Sequence, residues 1–343
     1  MGVAITELIP TTEIKLEDLR GKTLAVDGYN ILYQFLTTIR GPDGSALTDS
    51  HGNVTSHLVG LFNRTTNMLS KGIKLIFVFD GKVPDLKRAE IERRKSLKAE
   101  ASAKFEEAKQ SQDVDEMKKY AGRTASLTRD MVAQAKELLD ALGVPWFDAP
   151  SEGEAQCAAL VKQGHAWAVV SQDADSILYE SPRILKNLAV SGKRKQPGKL
   201  AYSQVEPELI EHKIVLQELG LDIIQLRALA LLIGTDYNIG GIKGIGPKKG
   251  LKLVQEHDHD LDAIFAAAKW DENFSISWKE VLAVFENMPV QDPGKITFGK
   301  LQPEKIEEIL VVNHDFSKER VSIALDKIAK EQANSQKGLG DWF

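Results

Sequence analysis

Three short apolar runs each end on, or just before, a carboxylate: TLAVDG at 23–28, LIFVFDG at 75–81 and WAVVSQDAD at 167–175. Unbroken β-branched and aromatic stretches of this length read as strands buried on both faces, the signature of a parallel sheet whose connections are helices. The expected fold class is therefore α/β, with a mainly parallel central sheet flanked by helices. In open sheets of this kind ligands bind outside the carboxyl ends of the strands. Asp27, Asp80, Asp173 and Asp175 fall there, and Glu152, Glu154 and Asp236 follow buried-looking segments in the same way. Crowded carboxylates raise one another's pKa unless something positive lies among them, and hard divalent cations take oxygen ligands. The acids thus imply a metal cofactor.

Each acid also has a plainer reading. Asp27-Gly28 and Asp80-Gly81 match the Asp-Gly signal of a hairpin turn. Neither is followed by an alternating strand, however. YNILYQFLTTI after Gly28 has helical spacing of Leu32, Phe35, Leu36 and Ile39, and the chain after Gly81 is charged and helical in character. Ser151-Glu152-Gly153-Glu154 reads as a capping box with Ser151 as N-cap. The two roles are compatible, because side chains in a first helical turn lean back toward the helix N-terminus.

With 343 residues the chain can bury a substantial core, and one catalytic domain with appendages is expected. Its single cysteine, Cys157, cannot form an internal disulfide, which points to a reducing compartment and to a small core residue. No apolar run approaches membrane-spanning length and no secretory leader is evident, so a soluble protein inside the cell is expected. The net charge of −5 and pI near 5.9 are unusual for a nucleic-acid binder. The basic residues nevertheless gather locally, in KRAEIERRK, SGKRK and GIKGIGPKKG. Strands and helices alternate along the chain until a charged insertion near 84–129, which reads as solvated helices. Two further features complete the reading. Closely spaced glycines followed by lysines in GGIKGIGPKKG suit a backbone approach to phosphate, although an ordinary glycine-rich turn would look the same. His257–Asp260, HDHD, lacks zinc-motif spacing and reads as a solvated loop.

Taken together, LAVDGYNILYQFL, TSHLVGLFNRT, KLIFVFDGKVPDLK, DAPSEGEAQ, SQDADSILY and GTDYNIGGIKGIGPKKG resemble the flap endonucleases, within the XPG-like 5′ nucleases and of archaeal type, over nearly the whole chain. The resemblance implies a structure-specific 5′ flap endonuclease with 5′–3′ exonuclease activity, serving replication and DNA repair. It implies two Mg²⁺ ions, with Mn²⁺ as an alternative: Asp27, Asp80, Glu152 and Glu154 on one side, and Asp173, Asp175 and Asp236 on the other. The insertion would form an arch, with Lys87 and Arg94 facing the scissile phosphate. Seven residues apart, they would share a helix face and could stabilise charge on the phosphoryl group. Tyr33 reads either as a core aromatic or, by the resemblance, as a stacking platform for a base. Gly244, Gly246, Lys248 and Lys249 would belong to a helix-two-turn-helix element that grips duplex backbone with the help of K⁺. Val83 and Ala174 depart from the family pattern without removing an acid.

Residues 1–330 would then form a single nuclease domain: an N-terminal region of about 1–100, the arch, an internal region of about 130–260 and a helical part of about 261–330. Residues 331–343 would form a flexible tail. In that tail Gln336, Leu339, Trp342 and Phe343 have the spacing of motifs that bind the replication sliding clamp. The expected partners are branched DNA with a 5′ flap and the clamp, with the free protein a monomer, cytoplasmic and nucleoid-associated, or nuclear were the source eukaryotic. A ribonuclease or 5′ exonuclease of similar chemistry and a catalytically silent DNA adaptor are the competing readings. The complete acid set disfavours silence.

Overall fold

A computed structural model describes residues 5–42, 44–111, 113–188, 192–195 and 202–340. In chain order its first half runs β1 (Thr12–Glu13), β2 (Thr23–Asp27), α1 (Gly28–Thr38), α2 (Ser56–Leu69), β3 (Lys74–Phe79), α3 (Arg88–Gln110), α4 (Val114–Ala121), α5 (Arg129–Ala141), β4 (Trp146–Asp148), α6 (Gly153–Lys162) and β5 (Ala168–Val170). It continues through β6 (Arg183–Lys186), β7 (Gly192–Lys195), β8 (Tyr202–Val205), β9 (Glu208–Glu211), α7 (His212–Leu219), α8 (Ile223–Ile233) and α9 (Pro247–His257). Five helices close the chain: α10 (Leu261–Ala267), α11 (Trp270–Asn273), α12 (Trp278–Glu286), α13 (Pro303–Glu307) and α14 (Lys318–Gly340). The three apolar runs that end on acids are β2, β3 and β5, as expected.

Two compact units divide the chain. One comprises Met1–Leu16, Asp80–Glu92 and Asp148–Asp292, and the other Glu17–Phe79, Arg93–Phe147 and Pro293–Phe343. In the first unit the strand order is β1-β9-β6-β5. There β5 and β6 run parallel, with Val169 opposite Ile184, while β9 lies antiparallel to β6 and to β1. Helix α8 opens with a true capping box: Asp222 accepts from the Gln225 N–H, and the Gln225 side chain accepts from the Asp222 N–H. Cys157 is fully buried in α6, the small core residue its surroundings suggested.

In the second unit β2 and β3 pair in parallel from Thr23 opposite Lys74 to Asp27 opposite Val78. Leu24, Ala25, Val26 and Leu75 through Phe79 are buried, so the pair is covered on both faces. A buried polar chain crosses this unit. His57 on α2 meets Gln134 Oε1 of α5 at 3.0 Å, Gln134 Nε2 meets His314 Nε2 at 3.3 Å, and His314 Nδ1 meets Asp49 Oδ2 at 2.8 Å. Burial holds the His57 imidazole neutral, down to about 4, with the charge of His314 acting the same way and the Gln134 bond partly opposing.

The charged insertion is helical, as its composition predicts: α3 and α4 carry mostly exposed polar side chains. Lys87 is not on that helix. It closes a 3₁₀ turn, Asp85–Lys87, and α3 starts at Arg88. Lys87 therefore immediately precedes the helix that carries Arg94. At the other end, α14 continues to Gly340, so the backbone at Gln336 and Leu339 is helical where the sequence suggested a flexible segment. The side chains of Gln336 and Leu339, and all of Trp342 and Phe343, lie outside the described residues.

Candidate active site

The first unit gathers most of the acids around one lysine. Lys87 Nζ lies 2.5 Å from Glu152 Oε2 and 3.2 Å from Asp236 Oδ2. Glu154 also contributes favourable charge to Lys87, and Lys87 in turn favours the ionised form of Asp80. Two carboxylates thus contact one ammonium, and the charges of two more act on it.

Local chemistry explains how each arrives. Gly81 must be glycine: a Cβ there would fall 1.9 Å from the Ala149 carbonyl oxygen. That close approach lets Gly81 N–H donate to Ser151 O at 2.7 Å and Lys82 N–H to Pro150 O at 3.2 Å, so the segment after β3 is held against the entry to α6. The Ser151 hydroxyl donates to Lys82 O at 2.8 Å, and the N-cap of α6 is Glu152. The capping-box expectation for Ser151 is thereby corrected. Its hydroxyl is occupied by a partner distant in sequence, and the buried Gly153 N–H at the helix start donates to Asp80 Oδ1 at 2.6 Å instead. A carboxylate at a helix N-terminus satisfies an orphan donor and meets the positive end of the helix dipole.

Asp236 lies in a turn that the GTDYN sequence fixes closely. Gly234 adopts φ +114°, and a Cβ there would fall 2.5 Å from Gly241 N. Asn238 Oδ1 accepts from the Thr235 N–H and hydroxyl, at 3.2 and 2.7 Å, while Asn238 Nδ2 donates to Leu231 O at 2.6 Å. Asp173 and Asp175 flank the buried Ala174; Asp173 N–H donates to Ser171 Oγ at 3.2 Å, and Asp175 begins a 3₁₀ turn, Asp175–Ile177. Arg227 of α8 supports this turn by donating from Nε to Leu178 O at 2.9 Å.

The electrostatics are those of a site with too much negative charge. Burial raises the pKa of Asp80 against the opposing Gly153 hydrogen bond and Lys87. Burial likewise raises Glu152; Lys87 opposes it, and repulsion from Asp80 and Asp236 adds to it. Burial alone would lower Lys87, yet Glu152 and Asp236 drive it upward and keep it charged. Among the described residues no three His, Cys, Asp or Glu side chains converge closely enough to hold a metal ion as they stand. Lys87 lies between the acids instead. An all-oxygen donor set whose charge one ammonium cannot offset is nevertheless the chemistry that suits a hard divalent cation.

Asp27 belongs to the second unit, where it ends β2 and caps α1 by accepting from Asn30 N–H at 3.0 Å. Arg94 is exposed on α3, in the part of that helix assigned to the second unit. Tyr33 is 46% exposed, so it is not a core aromatic. Gly244 and Gly246 are exposed in the turn before α9, with open space where a Cβ of either would sit, and Lys248 and Lys249 are exposed in the first turn of α9. The sequence reading missed Arg227, Tyr179 and Tyr237. Only the proximity of the tyrosines to Asp175 and Asp236 in the chain hinted at them.

The XPG N-terminal domain family matches residues 2–101, and the XPG I-region family matches residues 143–236. These define the class, an XPG-type nuclease. Flap endonuclease 1 of Staphylothermus marinus is 49% identical to this chain, with 100% of each covered. The solved flap endonuclease-1 of Methanococcus jannaschii superposes with a TM-score of 0.76 at 38% identity, over 97% of this chain and 100% of that one. The catalytic core of Rad2 in complex with a DNA substrate superposes at 0.67 with 25% identity, over 93% of this chain and 96% of that one. The chain belongs to the flap endonuclease family, structure-specific nucleases of replication and repair that work with divalent metals. The fold class is the family's, α/β with a mostly parallel sheet flanked by helices.

Proposed function

We propose that the carboxylates act as a two-metal hydrolytic centre cutting DNA at the base of a 5′ flap. Asp27, Asp80, Glu152 and Glu154 would hold one Mg²⁺, and Asp173, Asp175 and Asp236 the second. Such a pair, when bound, supplies Lewis-acid stabilisation of the attacking and leaving oxygens, so no protein nucleophile is required. The observation that carries the assignment is that Glu152 and Asp236, from separate stretches of chain, both contact Lys87, with Gly153 N–H holding Asp80 at the same helix start.

The side chains divide the remaining work. Lys87, already among the acids, would stabilise negative charge on the scissile phosphate, with Arg94 of α3 assisting. The exposed Tyr33 would stack on a base next to the cut, a contact that tolerates any sequence. Gly244, Gly246, Lys248 and Lys249 at the start of α9 would grip duplex phosphates, with K⁺ bound nearby, and position DNA without reading it. Selectivity would come from deformability, since a nicked junction bends more readily than a continuous duplex. Residues 1–330 would act as one nuclease region, a monomer when free, cytoplasmic and nucleoid-associated. Residues 336–343 would recruit the sliding clamp.

The test is to compare cleavage of a 5′-flap DNA, a linear duplex and single-stranded RNA in Mg²⁺ and in EDTA. Selective, Mg²⁺-dependent cutting of the flap is expected. Preferential RNA cleavage, or cutting in EDTA, would overturn the reading.

A further inference from the structure

Asp236 and the Asp173–Asp175 pair come from separate segments, yet they would have to serve one metal. The structure links those segments through two phenols. Tyr237 immediately follows Asp236, Tyr179 lies just beyond the 3₁₀ turn that Asp175 begins, and their hydroxyls meet at 3.1 Å across 58 residues of sequence. Both tyrosines are 8% exposed. Phe285 of α12 packs against both rings, with centroids 5.5 Å from Tyr179 and 5.2 Å from Tyr237.

We propose that Tyr179 and Tyr237 form a clasp that fixes Asp236 against the Asp173–Asp175 turn, making both tyrosines positioning residues for the acids. The proposal rests on the metal-ligand assignment above. Packing alone would be met by phenylalanine. A buried hydroxyl must instead find a partner, and here one O–H donates to the other's oxygen. Each side of the clasp has its own anchor. Arg227 Nε donates to Leu178 O beside Tyr179, and Tyr237 N–H donates to Thr235 Oγ1 at 3.1 Å. Bringing like charges together around a cation is unfavourable, and segments already held near one another lose less freedom when it binds.

The experiment titrates the intact protein, without DNA, with Mn²⁺ by electron paramagnetic resonance for wild type, Tyr179→Phe, Tyr237→Phe, the double variant and Asp236→Asn. Either phenylalanine variant should bind Mn²⁺ about threefold to tenfold more weakly, the scale of one neutral hydrogen bond. The double variant should be no weaker than a single one, because either change already breaks the bond. Flap cleavage should fall at limiting Mg²⁺ and recover to within about twofold at saturating Mg²⁺. Lower thermal stability with unchanged Mn²⁺ affinity, or losses that add in the double variant, would overturn the clasp. Weaker binding in Asp236→Asn with none in the phenylalanine variants would overturn the clasp alone. Unchanged affinity in all of them would overturn the ligand assignment, and the clasp with it.

Discussion

Replacing Lys87 with methionine keeps the aliphatic stem and removes an ammonium in contact with both Glu152 and Asp236. The Nζ–oxygen distances are 2.5 and 3.2 Å, between side chains 18%, 9% and 19% exposed. At an effective dielectric of about 20 these distances correspond to gross attractions of about 7 and about 5 kcal/mol, most of which is offset by desolvation of the three ions. Removing one partner of a buried pair leaves a net loss of about 3 kcal/mol. Across 343 residues the unfolding entropy is about 0.7 kcal/mol/K, so Tm should fall by about 4 °C. The assay is thermal unfolding of Lys87→Met and wild type, first in EDTA and then in excess Mg²⁺. In EDTA the full loss is expected. With Mg²⁺ it should shrink by half or more, because a divalent cation replaces the missing positive charge. An equal Tm loss in both conditions, or none in EDTA, would refute the role of Lys87 as counter-charge to these acids.

Three further outcomes follow. His57 is held neutral to about 4, below its ordinary 6.5, so the folded state binds fewer protons than the unfolded one. Its contribution is present above about pH 6.5 and is lost as pH falls toward 4, by at most about 3 kcal/mol. Tm measured across that window should fall less steeply for His57→Gln than for wild type; parallel curves would contradict the burial argument. Gly81→Ala would bring a methyl group to 1.9 Å from Ala149 O, so it should lower Tm by several degrees and slow cleavage at saturating substrate, and normal values for both would show that the segment can shift freely. Deleting 336–343 should abolish clamp binding in surface plasmon resonance while leaving clamp-independent flap cleavage within about twofold; retained clamp binding would remove the tail from that role.

What could be read from the sequence is whatever local pattern determines. Strands β2, β3 and β5 and the acids at their ends follow from short apolar runs, and the helical insertion follows from its composition. The close backbone approaches at Gly81 and Gly234 depend on Ala149 and Gly241, and the Asp-Gly turn signal did not disclose them. Features decided by distant partners were not legible. Ser151 has every local mark of an N-cap, but Lys82 claims its hydroxyl and Asp80 takes the helix N–H. The sequence puts Lys87 on the same helix as Arg94, whereas the chain closes a 3₁₀ turn at Lys87 before that helix starts. The Tyr179–Tyr237 bond and the His57–Gln134–His314–Asp49 chain join residues whose nearness arises only from tertiary packing.

The claim on which the rest depends is that these acids serve metal-assisted hydrolysis rather than only the fold or the grip on DNA. Single-turnover cleavage of a 5′-flap DNA in Mg²⁺ by Asp173→Asn, with binding of the same DNA followed by fluorescence anisotropy, tests it most directly. Cleavage should be lost or slowed by at least about a thousandfold while affinity stays within a few-fold of wild type, because a metal ligand is removed and the duplex contacts are untouched. Near-normal turnover in Asp173→Asn, or an equal loss of binding and cleavage, would contradict the account.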